Sequence, residues 1–262
     1  MRTALQCYLP DGAPAPVPET EAFEAWLDPS STAVACIDMH RSHVGTDVEA
    51  PLPAPRATDR VAAHDRFHAA CRDVGIPVVM VQHWQRHGGV DDLRSPALPG
   101  GANWRVLAEL FLPHNPLMDE LGWEGTRWVD LMVETDPERD FYIRTKKRLS
   151  GFHPTDLEFL LRQLEIRNLV ITGTLTDACV LSTAFDAANR DLRVIVPRDV
   201  VAGLSAEHEA AALMIIATHV GLVVDAPALL REWYARLERE PPAELASADR
   251  IDDAIGAPAR AA

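Results

Sequence analysis

Leu169-Val-Ile-Thr-Gly-Thr-Leu-Thr-Asp-Ala-Cys179-Val-Leu-Ser-Thr-Ala-Phe-Asp-Ala187 begins as an apolar run, breaks at Gly173 and restarts as a helix. A strand apolar on both faces that passes directly into a helix is the unit of a parallel sheet covered on both sides. The turn puts Cys179 in the first turn of the helix, at the carboxyl end of the strand. Unpaired N–H groups and the positive end of the helix dipole gather there, an environment that favours thiolate over thiol.

The same alternation extends in both directions. Upstream, Thr32-Ala-Val-Ala-Cys-Ile-Asp-Met39 is apolar until its aspartate and reads as a strand buried on both faces. Residues 58–74 form a helix with Ala63, Phe67, Ala70, Cys71 and Val74 on one side, ended by Gly75 before the strand Ile76–Val81. Phe141–Thr145 is a third strand, and Asp156–Glu165 a helix with Leu157, Leu160, Leu161 and Leu164 on one face. Downstream come the strand Arg193–Val196, a helix over Ala206–His219, the strand Leu222–Val224 and a helix near Ala228–Leu237. These elements predict a three-layer αβα fold around a doubly wound, six-stranded parallel sheet.

Flanking this frame are a proline-rich arm within residues 1–31, whose segment 10–18 reads as extended chain without regular structure, and a polar tail over 239–262. The domain proper is placed at 32–238. Inside it, residues 84–135 form an irregular insertion rich in Gly, Pro and Trp, with a short helix near Trp104–Leu112, of the kind that serves as a lid or a binding loop. Trp84, Trp104, Trp123 and Trp128 there read first as local core.

A formal charge of −14 over 262 residues repels phosphate and argues against nucleic acid as the main ligand. No apolar run reaches the ~20 residues of a membrane span, and the first residues lack a secretory apolar core. The four scattered cysteines form no C-x-x-C pair, a pattern of reduced thiols and a cytoplasmic location. With no P-loop and no G-x-G-x-x-G, nucleotide binding has no support.

Ligands of doubly wound sheets bind beyond the carboxyl ends of the strands. Three reactive side chains fall there: Asp38, Lys146 or Lys147, and Cys179. Strand alternation does not choose between the lysines, which point opposite ways. A carboxylate to take a thiol proton and an ammonium to hold that carboxylate are the parts of a nucleophilic site without histidine.

Ile37-Asp38-Met39, Lys146-x-Arg148-x-Ser150-x-Phe152, Thr155-x-x-Glu158 and Gly173-x-x-Thr176-x-x-Cys179-Val-x-x-Thr183-Ala-x-Asp186-Ala together resemble the isochorismatase-like cysteine hydrolases, over about residues 32–230. That superfamily includes nicotinamidases and N-carbamoylsarcosine, ureidoacrylate and biuret hydrolases. The resemblance implies a triad of Asp38, Lys146 and Cys179, with Lys146 chosen by its spacing from Phe152. It also implies a cis peptide at Thr174–Leu175 and an oxyanion hole made by the N–H groups of Leu175 and Cys179. The chain departs from the family at His40-Arg-Ser-His43, where many members carry glutamine and then phenylalanine. His40, His43, Trp84 and, by analogy with biuret-type enzymes, His219 are the candidate substrate contacts.

His64 and His68 are spaced to chelate but lie off the helix's apolar face with no third ligand, and His83 and His87 sit on a strand end and loop. Nicotinamidases hold a metal with an Asp-x-His pair at the place that here reads Val81-Gln-His-Trp84, so neither metal nor other cofactor is expected. The resemblance implies hydrolysis of a small amide or ureide, biuret-, guanylurea- or N-carbamoyl-type, through a thioester. The competing readings are a vinyl ether hydrolase of isochorismate type, which needs the aspartate but not the thiol, a nicotinamidase-like amidase, and a non-enzymatic scaffold. The insertion, the arm and the family's habit point to a homodimer or homotetramer.

Overall fold

The computed structural model describes residues 5–45, 50–87, 91, 110 and 112–246. Most of the helix read near Trp104–Leu112, and the tail beyond 246, lie outside these residues. Nine strands form one sheet: β1 (Gln6–Tyr8), β2 (Pro14–Pro16), β3 (Thr32–Ile37), β4 (Val78–His83), β5 (Phe141–Lys146), β6 (Asn168–Thr174), β7 (Arg193–Pro197), β8 (Val201–Ala202) and β9 (Gly221–Val224). The order β5-β4-β3-β6-β7-β9 is parallel throughout, with β8 adding a short parallel pairing to the end of β6. The chain winds outward from β3 through β4 to β5, returns to β6, and winds the other way. The winding therefore reverses between β3 and β6, and the crevice beyond their carboxyl ends is the expected ligand site.

Strand β3 shows why both faces must be covered. Ala33, Ala35 and Ile37 pack into one core with Leu157, Leu161, Val180, Ala184 and Ile216. Val34 and Cys36 point the other way, into a core with Phe67, Leu229 and Trp233. Helices Leu157–Gln163, Leu181–Ala188 and Ala206–His219 supply the first layer, and Val61–Asp73 and Ala226–Arg236 the second.

Two expectations are corrected here. Segment 10–18 is part of a hairpin: β1 and β2 pair antiparallel, and Cys7 pairs with Val224 at the edge of the sheet. Prolines at both ends of β2 suit an outermost strand, where a missing N–H faces no partner. His64 and His68 are fully buried, because their helix is enclosed between β6 and helix Ala226–Arg236. The His64 Nδ1 bonds the Arg60 carbonyl at 2.8 Å, and the His68 Nε2 lies 3.5 Å from Thr172 Oγ1.

Candidate active site

Strand β6 runs through Gly173 rather than stopping at it, since Gly173 still pairs with Ile37 and Val201. The Thr174–Leu175 peptide that follows is cis. A wide turn of π-helix, Thr176–Val180, then leads into helix Leu181–Ala188, and Cys179 lies on that turn, 8% exposed. Thr183 fixes it from below: its hydroxyl donates to the Cys179 carbonyl at 2.6 Å and accepts the Gly151 N–H at 2.9 Å. Thr183 and the loop after β5 thus hold the cysteine turn in place.

Asp38 follows β3 with φ +52°, a left-handed conformation that aspartate tolerates better than most residues. Its N–H donates to the Val81 carbonyl, while its carboxylate accepts from two nitrogen donors. The His83 N–H donates to Oδ1 at 2.7 Å, and Lys146 Nζ donates to Oδ2 at 2.5 Å. The same Nζ lies 3.3 Å from Cys179 Sγ. Lys146 ends β5, two strands from β3, and reaches across beside a break in register between β4 and β5 at His83. Lys147 faces the other way, with its ammonium on the Trp84 carbonyl and 3.0 Å from Asp91.

All three side chains are buried, so solvent screens their charges from one another only weakly. Burial alone would raise the Asp38 pKa, but the Lys146 ammonium outweighs it and holds the carboxyl well below the usual range. Burial works to deprotonate Lys146, yet Asp38 and Cys179 hold its pKa above normal. Burial pushes the Cys179 thiol up to about 12, with Lys146 opposing the rise and Asp38 adding to it. Burial thus works against the thiolate that the helix start favours. At rest the set is a thiol, a carboxylate and an ammonium, with the thiol hydrogen-bonded to Asp38.

A cavity of about 410 Å³ opens over Cys179, and Asp38, Lys146, Leu175, His43 and His83 line it. His43 Nδ1 lies 3.0 Å from the Leu52 carbonyl, which can only accept, so Nδ1 carries the proton. Burial keeps the ring neutral by lowering its pKa, and Nε2 is left as an acceptor. His40 stands behind the wall, fully buried with Nε2 3.8 Å from Asp38 Oδ1.

Trp84 and His219 are placed elsewhere. Trp84 lines a separate polar cavity with Arg144 and Lys147. His219 is exposed at the carboxyl end of helix Ala206–His219. That helix runs antiparallel to the strands it covers, so its last residue lies at their amino edge, away from the cysteine. Sequence reading had missed the His83 N–H and Asp177, whose Oδ1 receives the Leu204 N–H at 3.1 Å at the cavity's edge. A main-chain donor leaves no signature in residue type.

Residues 32–228 match the isochorismatase domain model. The chain belongs to the isochorismatase family. It is 34% identical over 224 residues to a ureidoacrylate amidohydrolase RutB of Methylorubrum extorquens, covering 80% of this chain and 84% of that one. The RutB of Serratia proteamaculans is 30% identical over 240 residues, 85% and 89% of the two chains. Among solved structures, a cysteine hydrolase from Pseudomonas syringae pv. phaseolicola superposes with a TM-score of 0.66 at 23% identity, over 79% of this chain and 94% of that one. An isochorismatase-like hydrolase from Alkaliphilus metalliredigens gives 0.62 at 26%, over 78% and 99%. The fold of this isochorismatase-family chain is thus shared well beyond recognisable sequence.

Proposed function

We propose that this protein is a cysteine-dependent amidohydrolase that cleaves a C–N bond, other than a peptide bond, in a small amide or ureide. The observation that carries the reading is one ammonium within bonding distance of both a buried carboxylate and a buried thiol, beneath a cavity. The family and the amidohydrolase relatives support the same chemistry.

In the first half-reaction Asp38 takes the Sγ proton as sulfur bonds to the carbonyl carbon. Lys146 holds the carboxylate in line and steadies the sulfur as it gains charge. The N–H groups of Leu175 and Cys179 receive the oxyanion, each donor contributing ~3 kcal/mol in such sites. The C–N bond breaks as Asp38 returns the proton to nitrogen, releasing ammonia or an amine and leaving a thioester. Water then adds with Asp38 as base, and collapse breaks the C–S bond and restores the thiol. His43 Nε2, an acceptor facing the cavity, orients a substrate N–H.

The test is ammonia release over a panel of amides, N-carbamoyl compounds, biuret and nicotinamide, with mass spectrometry of acid-quenched enzyme. A substrate-dependent mass adduct on Cys179 is the expected result. Turnover retained in Cys179→Ala would transfer the protein to the vinyl ether reading, which needs Asp38 alone. We further propose a homodimer or homotetramer as the working form.

A further inference from the structure

Asp38 and Lys146 stand beside Sγ in the cavity. Most of the rest of the wall is apolar: Leu52, Leu121, Leu149, Leu181, Phe185 and Leu204 face the same space, with Arg148, Asp177 and Ser182 among them. The apolar residues come from the loop after β3, the insertion, the loop after β5, the first turns of helix Leu181–Ala188 and the loop after β8. An apolar surface assembled from five separate segments is not a by-product of one amphipathic helix. Phe185 is 39% exposed, although Leu181–Ala188 buries Thr183, Ala184 and Ala187 against the sheet. A large ring kept at a cavity mouth gains nothing from the core, and gains on covering a ligand.

Two charged residues also line this wall, and one atom of each is bonded to backbone. Arg148 Nη1 donates to the carbonyls of Lys147 and Asp91, and Asp177 receives the Leu204 N–H. A carboxylate or a second urea unit lying against Leu149, Leu181 and Phe185 would lose its hydration there with poor replacement.

We propose that the substrate's non-reacting end is apolar, a branched aliphatic or aromatic group on a primary amide or ureide. This rests on the amidohydrolase reading above and narrows it: the reacting C–N unit sits at Cys179, and the substituent lies against Leu149, Leu181 and Phe185. Small polar ureides such as biuret fill only the space beside Cys179.

The test compares kcat/KM for ammonia release from acetamide, isovaleramide and phenylacetamide with biuret and malonamic acid. Isovaleramide and phenylacetamide should exceed acetamide, biuret and malonamic acid by at least about 10-fold, the scale of a few buried methylenes. Phe185→Asn should bring the phenylacetamide-to-acetamide ratio down towards one. Equal values along the amide series, or biuret or malonamic acid as the best substrate, would overturn the proposal while leaving the amidohydrolase reading intact. Calorimetric binding to Cys179→Ala separates the two in the other direction. Phenylacetamide binding at least about 10-fold tighter than biuret supports the apolar wall even where no amide is hydrolysed, and equal or weaker binding refutes it. A Phe185→Asn protein that dissociates into smaller particles with an unchanged substrate ratio would also refute it, making the wall a subunit contact.

Discussion

The proposed mechanism asks Asp38 to be a base and a fixed anion at once, and its surroundings suit both. The His83 N–H and the Lys146 ammonium occupy one oxygen each, so the carboxylate can neither rotate nor protonate easily. Removing its charge in Asp38→Asn should lower kcat by about 10²–10⁴, the range of a lost general base, with the circular dichroism spectrum retained. Cys179→Ala should abolish turnover, and Cys179→Ser should nearly do so, because this carboxylate is too weak a base for an alcohol. Lys146→Ala should cost both rate and about 3–5 kcal/mol of stability, since it strands a buried carboxylate. Lys147→Ala, whose ammonium serves Trp84 and Asp91, should leave the rate within a few-fold. The Asp38/Cys179 double variant should be no worse than the worse single one, because the groups act as a unit. A damaging Lys147→Ala with a harmless Lys146→Ala would dismantle the assignment. His83 bears on metal. Its ring bonds Gln85 at 2.9 Å, and among the described residues no group of three or more His, Cys, Asp or Glu side chains is arranged to hold an ion. Dialysis against dipicolinate should therefore leave activity unchanged. A loss reversed by one added metal would contradict this.

Strand β6 and the turn after it show how closely the elements are fitted. A Cβ at Gly173, where φ is +105°, would stand 2.0 Å from the Ile37 carbonyl oxygen and 2.6 Å from its nitrogen. Both are backbone atoms of β3, held by pairing on either side, and neither can withdraw. Gly173→Ala should thus unfold the protein or lower its urea midpoint by the equivalent of several kcal/mol. Gly75→Ala meets nothing within 4 Å and carries only the left-handed penalty at φ +81°, about 1 kcal/mol. Equal midpoints for the two would show that strand spacing is not the constraint. Sequence reading caught this glycine as a break, because a lone glycine inside an apolar run resembles a stop. The true cause, close approach of two parallel strands, is a property of the partner strand. Asp38 and Cys179 stood out in the sequence for the converse reason: Asp38 ends a continuous apolar run, and Cys179 follows another by one short turn. Between the two lysines, periodicity could not decide, and only the spacing to Phe152 in a family pattern did. The cavity wall was unreadable, because its leucines are ordinary in each of the five segments that supply them.

The chain reads as six parallel strands because the central ones, β3, β4 and β6, are buried on both faces, which only a covered sheet demands. The hairpin of β1 and β2 escaped because its prolines look like linker until an edge strand is there to receive it. The oligomer also belongs to the entire molecule. Light scattering at micromolar concentration should return a dimer or tetramer, and an active monomer would refute this. A further consequence follows from where the histidines went. His40, His43, His64, His68 and His83 are all buried with pKa values lowered by burial, His40 to about 3 and His64 to about 4. In the unfolded chain each binds a proton near pH 6.5. Between pH 6.5 and about 4 the unfolded state therefore holds protons that the folded state refuses, so stability is complete above that window and drains away as pH falls. Each such ring adds to the loss of stability as pH falls through that window. Asp38, with its lowered pKa, adds a loss of the same sign only at lower pH. The melting temperature should fall as pH drops below about 6.5, where the unfolded histidines begin to take up protons. His64→Gln, which removes one titrating ring on the face away from Cys179, should flatten the slope even where it lowers stability at pH 8. A melting temperature unchanged from pH 7 to 4.5 would mean that these rings find protons, or water, in the folded state.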